Sequence, residues 1–248
     1  MASSNKREFS ISQLMQLCSL FDINESQLRT NLSRMSEKGL LESKRKGRKA
    51  YYSFADKGDS LKQNISLSFR SLDWGNWDNK WWGVSFSLPD EKNTKRYYIR
   101  KKLSVYRFVS YNPGFWIRPL NRSENLEKKL NKVFSSKYCC VTKFEFYNEI
   151  SKEEVSTLWN LEDINKDFKN ALEIIKESRM KILKLSPEEA FKAKILTGNS
   201  IVNTLFRDPL LPKIYLPENW AAEKLKSQFD LWNEEINKIS KEFLKNLD

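Results

Sequence analysis

Apolar residues recur at helical spacing through the first forty positions. Leu14, Leu17, Cys18 and Phe21 make one stripe; Leu28, Leu32 and Met35 make a second at i, i+4, i+7. A capping box opens each, Ser10-Ile-Ser-Gln13 and Asn24-Glu-Ser-Gln27. In both, the first side chain accepts from the amide three residues on and the glutamine reaches back. Asp22-Ile23-Asn24 breaks the first helix, and Gly39 closes the second in the position that favours glycine. Two short helices joined by a tight turn outline a helix-turn-helix. With Leu28, Leu32 and Met35 inward, the outward arc of the second helix carries Ser26, Thr30, Ser33 and Arg34, flanked by Gln27 and Arg29. Short hydroxyls, an amide and guanidinium groups can bond phosphates and base edges in a major groove. A merely solvated helix more often carries long Glu and Lys. Here the acids, Glu25 and Glu37, sit near the two ends.

Two short strand-like runs follow within Leu40–Phe54, flanking a turn that contains Gly47. Lys44, Arg45, Lys46, Arg48 and Lys49 crowd the tip of this predicted hairpin. A basic hairpin directly after a helix-turn-helix reads as the wing of a winged helix, gripping the sugar-phosphate backbone beside the groove. Residues 61–73 are polar and read as a linker. Beyond them the pattern gives a strand (Trp81–Leu88), a helix (Arg96–Val109, with Ile99, Leu103 and Tyr106 on one face), a strand (Gly114–Pro119), a helix (122–134) and a strand (Tyr138–Tyr147). That order predicts a ferredoxin-like α+β domain over 74–148. From 149 to 248 the chain reads as helices. Leu161, Ile164, Phe168, Leu172 and Ile175 form one stripe, and Ser186-Pro-Glu-Glu189 marks a helix start. Ala222, Leu225, Phe229, Trp232, Ile236, Ile239 and Phe243 form a narrow seam, suited either to this chain's own helices or to a second copy. The expected fold class is therefore α+β: an N-terminal winged helix-turn-helix (1–60), the middle domain, and an all-α C-terminal domain (149–248).

Charge sharpens this picture. The 248 residues hold 44 Lys plus Arg against 32 Asp plus Glu, a net charge of +12. The excess lies in the front: residues 61–143 alone have 17 basic and 6 acidic side chains, whereas residues 144–248 are slightly acidic. A basic front suggests a polyanionic partner, double-stranded DNA first. The chain has no histidine, so no Ser-His-Asp triad, Cys-His pair or His-ligated metal site is available. Its seven glycines form no phosphate-cradling motif. Cys18, Cys139 and Cys140 lack a framework spacing and read as free thiols of a reducing compartment; Cys139 and Cys140 should point to opposite faces of a strand. No stretch reaches the length of a membrane span. A cytoplasmic chain without enzymatic activity, metal or cofactor is expected.

Several runs together resemble a known family. Leu28-Arg-Thr-Asn-Leu-Ser-Arg-Met35, Gly39-Leu-Leu41, Gly47-Arg-Lys-Ala-Tyr-Tyr-Ser53 and Asp56-Lys-Gly58 resemble the winged-helix signature of PaaX-type regulators. Trp77-Asp-Asn-Lys-Trp81 is similar to the family's W-D-G-x-W opening of its middle domain. Asp208-Pro-Leu-Leu-Pro212, with Leu216-Pro217 and Trp220, is similar to its C-terminal D-P-x-L-P…L-P-x-x-W signature. The chain departs from the pattern at Asn31, where the family has Ala, and at Trp220-Ala-Ala222, where it has W-x-G. The family's further helix before the pair is also missing from the sequence ahead of Ser10. A divergent member with a shortened N-terminus is expected.

The resemblance implies a homodimeric transcriptional repressor of phenylacetate catabolism, released by phenylacetyl-CoA, and adds effector binding and dimerisation to the expected C-terminal domain. Trp77, Trp81, Trp116 and Arg118 offer ring faces and a cation for an acyl or adenine group, and Arg100 and Lys101 lie in a run from Lys92 to Arg107 without an acid. That run suits either the phosphates of an acyl-CoA or DNA flanking the main site. The family's middle domain is also said to resemble the small nuclease of CRISPR adaptation; Asp90 is the single acid near where a metal-binding carboxylate would sit. Two other readings stay open on the residues alone: a nucleic-acid-processing protein with a metal-dependent, nuclease-like middle domain, and an interaction protein whose reading head has decayed.

Overall fold

The computed structural model describes residues 8–47, 49–55, 69, 72–88, 93–121, 126–134 and 138–247. The protein is α+β with a helical C-terminal region, and its contacts divide it into two units. One comprises residues 1–70, 168–206 and 224–248; the other comprises residues 71–167 and 207–223.

In the first unit, β1 (Phe9–Ser10) runs into α1 (Ile11–Ser19), followed by α2 (Glu25–Glu37) and a hairpin of β2 (Leu41–Lys46) and β3 (Lys49–Phe54). Both predicted capping boxes are present. Ser10 Oγ accepts from the Gln13 amide while Gln13 Oε1 accepts from the Ser10 amide, and Asn24 and Gln27 do the same for α2. Gly39, at φ 65°, ends α2 with its amide on the Ser36 carbonyl and the Leu40 amide on that of Met35. Those bonds satisfy carbonyls that the helix end would otherwise leave open. Gly47, at φ 63°, lets the chain reverse between the paired residues Lys46 and Lys49. The sheet order is β1-β3-β2, all antiparallel.

The second unit holds a four-stranded antiparallel sheet. In chain order come β4 (Trp81–Phe86), α3 (Asn93–Val105), β5 (Val109–Asn112), β6 (Phe115–Pro119), α4 (Leu126–Phe134) and β7 (Cys139–Phe144); across the sheet the order is β5-β6-β4-β7. Strand β5 corrects the sequence reading, which carries the helix through to Val109. Arg107, at φ 66°, stops the chain in a left-handed conformation that nothing in an arginine announces. Strand alternation sorts the core. Trp82 and Val84 join Ile99, Leu103, Leu130 and Phe134 beneath the helices, and Trp81 and Ile117 face the other way, among Ile150, Val155, Leu161, Leu211 and Tyr215. Cys139 packs with the first group while Cys140 is exposed, on opposite faces as expected, and all three cysteines are free.

Helices dominate from Lys152 on: α5 (Lys152–Trp159), α6 (Leu161–Lys181), α7 (Pro187–Leu205) and α8 (Ala222–Lys245). Ser186 caps α7 through a box with Glu189, and Pro187 takes the first turn, where its missing amide costs nothing. On α6 the stripe shifts slightly, with Ala171 buried and Leu172 only half-buried. The seam of α8 is used within its own unit. Trp232 meets Gly198 and donates to Ser178 Oγ, Phe243 packs on Phe191, and Arg179 holds Glu235 through two nitrogens. Within the expected linker, Phe69 stacks on Phe229, ring centroids 5.3 Å apart.

Candidate nucleic-acid interface

Helix α2 is anchored by Leu28 and Leu32, both buried, and its outward arc is that read from the spacing. Ser26, Gln27, Arg29, Thr30, Ser33 and Arg34 are all exposed. Several are held by the helix itself. The Arg29 guanidinium donates to Glu25 Oε1 one turn back, Thr30 Oγ1 donates to the Ser26 carbonyl at 2.9 Å, and Ser33 Oγ donates to Glu37 Oε1 at 2.9 Å. The terminal acids are therefore partners of the outward face. Asn31, also exposed, donates to the Gln27 carbonyl. It extends the same face at i+4 from Gln27, and its amide can pair with an adenine edge. Its spacing was the available signal, which attention to family pattern alone passes over.

The hairpin carries the cations. Lys44, Arg45, Lys46 and Lys49 are exposed, and Arg48 lies outside the described residues, as do Asp56, Lys57 and Gly58. Lys46 differs from the rest. Its ammonium bonds Glu8 Oε2 at 2.5 Å and sits 5.1 Å from the Tyr51 ring centre. That bond lifts the Lys46 ammonium above its ordinary range and holds the Glu8 carboxyl below its own, with Lys44 adding to the latter. Lys46 is thus paired with Glu8 at the approach to β1, while its side chain stays exposed.

Of the six effector candidates, Trp77 and Trp81 are brought together, ring centroids 5.5 Å apart. Trp81 is 1 % exposed and lies among the rings of Trp77, Phe146, Trp159 and Tyr215. Trp77 donates its indole N–H to the Leu120 carbonyl at 3.1 Å. Trp116, by contrast, pairs across β4 with Val84 and packs in the core on the helix side of the sheet. Arg118 is 3 % exposed and donates to the Tyr106 carbonyl at 3.1 Å. Arg100 and Lys101 lie exposed on α3. The tryptophans of the W-D-N-K-W run share one apolar cluster with Leu211 and Trp220 of the C-terminal signature and with Tyr215 between them, so these residue types answer to packing. Asp208, buried in the same unit, accepts from the Leu210 amide at 3.1 Å and shapes the turn that delivers Leu211. Asp90 lies outside the described residues, and among the described residues no three Cys, Asp or Glu converge as metal ligands.

Comparison with known proteins adds a second line. Family models match end to end: a PaaX-like protein over residues 3–58, a PaaX protein central Cas2-like domain over 75–155, and a PaaX-like protein C-terminal domain over 159–246. The transcriptional repressor PaaX of Escherichia coli (strain K12) is 24% identical over 226 residues, which is 87% of this chain and 70% of that protein. A solved structure of an uncharacterized protein from Mycobacterium tuberculosis aligns with a TM-score of 0.60 at 20% identity, covering 93% of this chain and 89% of that one.

Proposed function

The chain belongs to the PaaX-like family of regulators, and on that premise we propose that it is a transcriptional repressor that reads duplex DNA through α2 and the β2–β3 hairpin. The observation that carries this reading is the exposed polar arc of α2, Ser26 to Arg34, followed directly by the exposed cations Lys44, Arg45 and Lys49. In this reading the first 60 residues act as a winged helix. The short β1 strand completes a three-stranded sheet beside the helix pair, which supports it. Thr30, Ser33, Arg29 and Arg34 address base edges and adjacent phosphates, with Ser26 and Gln27 at the start of the helix. Lys44, Arg45, Arg48, Lys49 and, less freely, Lys46 hold the backbone.

Residues 61–73 serve as the linker and 74–148 as a ferredoxin-like domain. Support for the latter is the β-α-β-β-α-β order with strand order β5-β6-β4-β7. Residues 149–248 form the helical effector and dimerisation domain of a cytoplasmic homodimer; among the described residues no helix is long and apolar enough to cross a membrane. An acyl-CoA such as phenylacetyl-CoA is the proposed releasing ligand, and it must bind the DNA-free state more tightly than the bound state to act. Repeated selection from a random duplex library by the purified chain tests the reading. A recurrent motif should emerge. If some six phosphates are neutralised, affinity for it should fall roughly a thousandfold or more between 50 and 200 mM salt. Failure to enrich any motif would sink the proposal.

A further inference from the structure

Helix α3 carries Lys95, Arg96, Arg100, Lys101 and Lys102 with no acid between Asn93 and Val105. Its inner face is settled by Ile99 and Leu103, both buried under the sheet of its own unit. Its outer face is unusual for a helix that merely needs water. Tyr97 and Tyr98 stand 67 % and 52 % exposed, and Arg100 and Lys101 beside them are exposed, with no carboxylate partner among the described residues. Lys102 lies 5.4 Å from the centre of the Tyr98 ring, and Lys95 lies 5.4 Å from that of Tyr138. Arg96 and Arg100 are four residues apart, a like-charge spacing that weakens an isolated helix, and Arg96 donates to the Leu88 carbonyl. Stability does not account for this face.

We infer that the outer face of α3 is a second DNA-backbone contact, in which Arg100 and Lys101 neutralise phosphates while the Tyr97 and Tyr98 hydroxyls donate to phosphate oxygens. The inference rests on the regulator reading and extends it to a part of the chain outside the reading head. Charge complementarity selects the partner: consecutive cations and phenols on a convex helix fit an extended polyanion. A soluble polyphosphate ligand instead needs a concave site that buries most of its surface. Two clefts among the described residues of this unit lie at the start of α5 and are lined in part by Glu153, Glu154 and Glu162, which repel phosphate. Interfaces with nucleic acid draw most of their hydrogen bonds from contacts to phosphate and sugar, which position the duplex without reading it.

The test uses the full chain and the duplex enriched by selection, with its native-length flanks. Arg100→Gln/Lys101→Gln, and separately Lys101→Glu in case the double variant folds poorly, are compared with wild type across 50 to 300 mM salt. The double variant should lower the slope of log affinity against log salt by about 0.9 for each lost phosphate contact. At about 0.1 M salt that corresponds to roughly ten- to hundredfold weaker binding, with the preference for the selected over a scrambled duplex unchanged. Wild-type slope and affinity in both folded variants would overturn the inference while leaving the regulator reading intact. Loss of coenzyme A binding by calorimetry, with the DNA slope unchanged, would overturn it in favour of a soluble ligand. Absence of duplex binding by the wild type would remove the regulator reading itself.

Discussion

Arg29 and Ser33 stand on the exposed arc of α2 already bonded to carboxylates, Glu25 and Glu37. These pairs hold both side chains in place, and in the proposed complex the same carboxylates would face phosphates of like sign. Glu25→Gln should therefore tighten binding to non-specific duplex about two- to fivefold, the worth of an exposed ion pair, and narrow the gap to the selected sequence. Fluorescence anisotropy with scrambled and selected duplexes checks this; looser binding to both would show that the carboxylate positions Arg29 productively. The outward residues of α2 were legible because helical spacing alone places them once Leu28 and Leu32 are inside. The pairings were not, because spacing gives a face and says little about which rotamer a guanidinium takes. Lys46 shows the same limit: its partner Glu8 is thirty-eight residues away in sequence, and only strand pairing brings them close.

At the scale of elements, the caps were the clearest signals and can be tested singly. Removal of the Ser186 hydroxyl from the start of α7, as in Ser186→Ala, should cost about 1 kcal/mol. Bonds from the Ser186 amide and hydroxyl hold the Glu189 carboxyl below its ordinary range. A carboxylate so depressed contributes stability that is complete above about pH 4.5 and disappears as the pH falls through its lowered value. Glu189→Gln, which keeps the box but removes the titrating carboxyl, should thus flatten the acid side of the stability profile followed by circular dichroism; an unchanged profile would contradict the lowered carboxyl.

The middle sheet offers a sharper test. A Cβ on Gly83 would come within 2.8 Å of the Phe115 ring and 2.9 Å of the Thr142 methyl, one on each neighbouring strand. Gly83→Ala should destabilise by about 1–3 kcal/mol, readable as a lowered Tm. That glycine gave no hint in the sequence, since its reason lies in strands thirty and sixty residues on. Strand β5 was missed for a related reason. Val109 continues the apolar period of the preceding helix, and the break depends on one left-handed arginine. The Asn-Pro-Gly turn after it was readable, and weighed more heavily it would have given a hairpin.

At the scale of the whole molecule, the order of elements and the helical C-terminal region followed from periodicity, while the grouping into units did not. Residues 207–223 belong with the middle sheet, and their Leu211, Tyr215 and Trp220 pack with Trp77 and Trp81. Tryptophans in a basic protein invite a ligand-binding interpretation, yet here sheet alternation sends Trp81 and Trp116 to opposite faces. Likewise the α8 seam suits a coiled coil by spacing, but its own unit already covers Trp232 and Phe243. A homodimer should therefore survive Trp232→Phe without loss of assembly, as followed by light scattering. Monomers appearing with that variant, still folded, would place the partner on this seam.

The central claim is that α2 supplies sequence discrimination and the basic hairpin supplies grip. It is tested most directly by the affinity ratio between selected and scrambled duplexes for wild type and for Thr30→Ala/Arg34→Ala at one fixed salt concentration. Wild type should prefer its selected duplex by about a thousandfold or more, and the variant should bind both duplexes alike, near the wild-type affinity for the scrambled one. A variant that keeps the full preference would contradict the account.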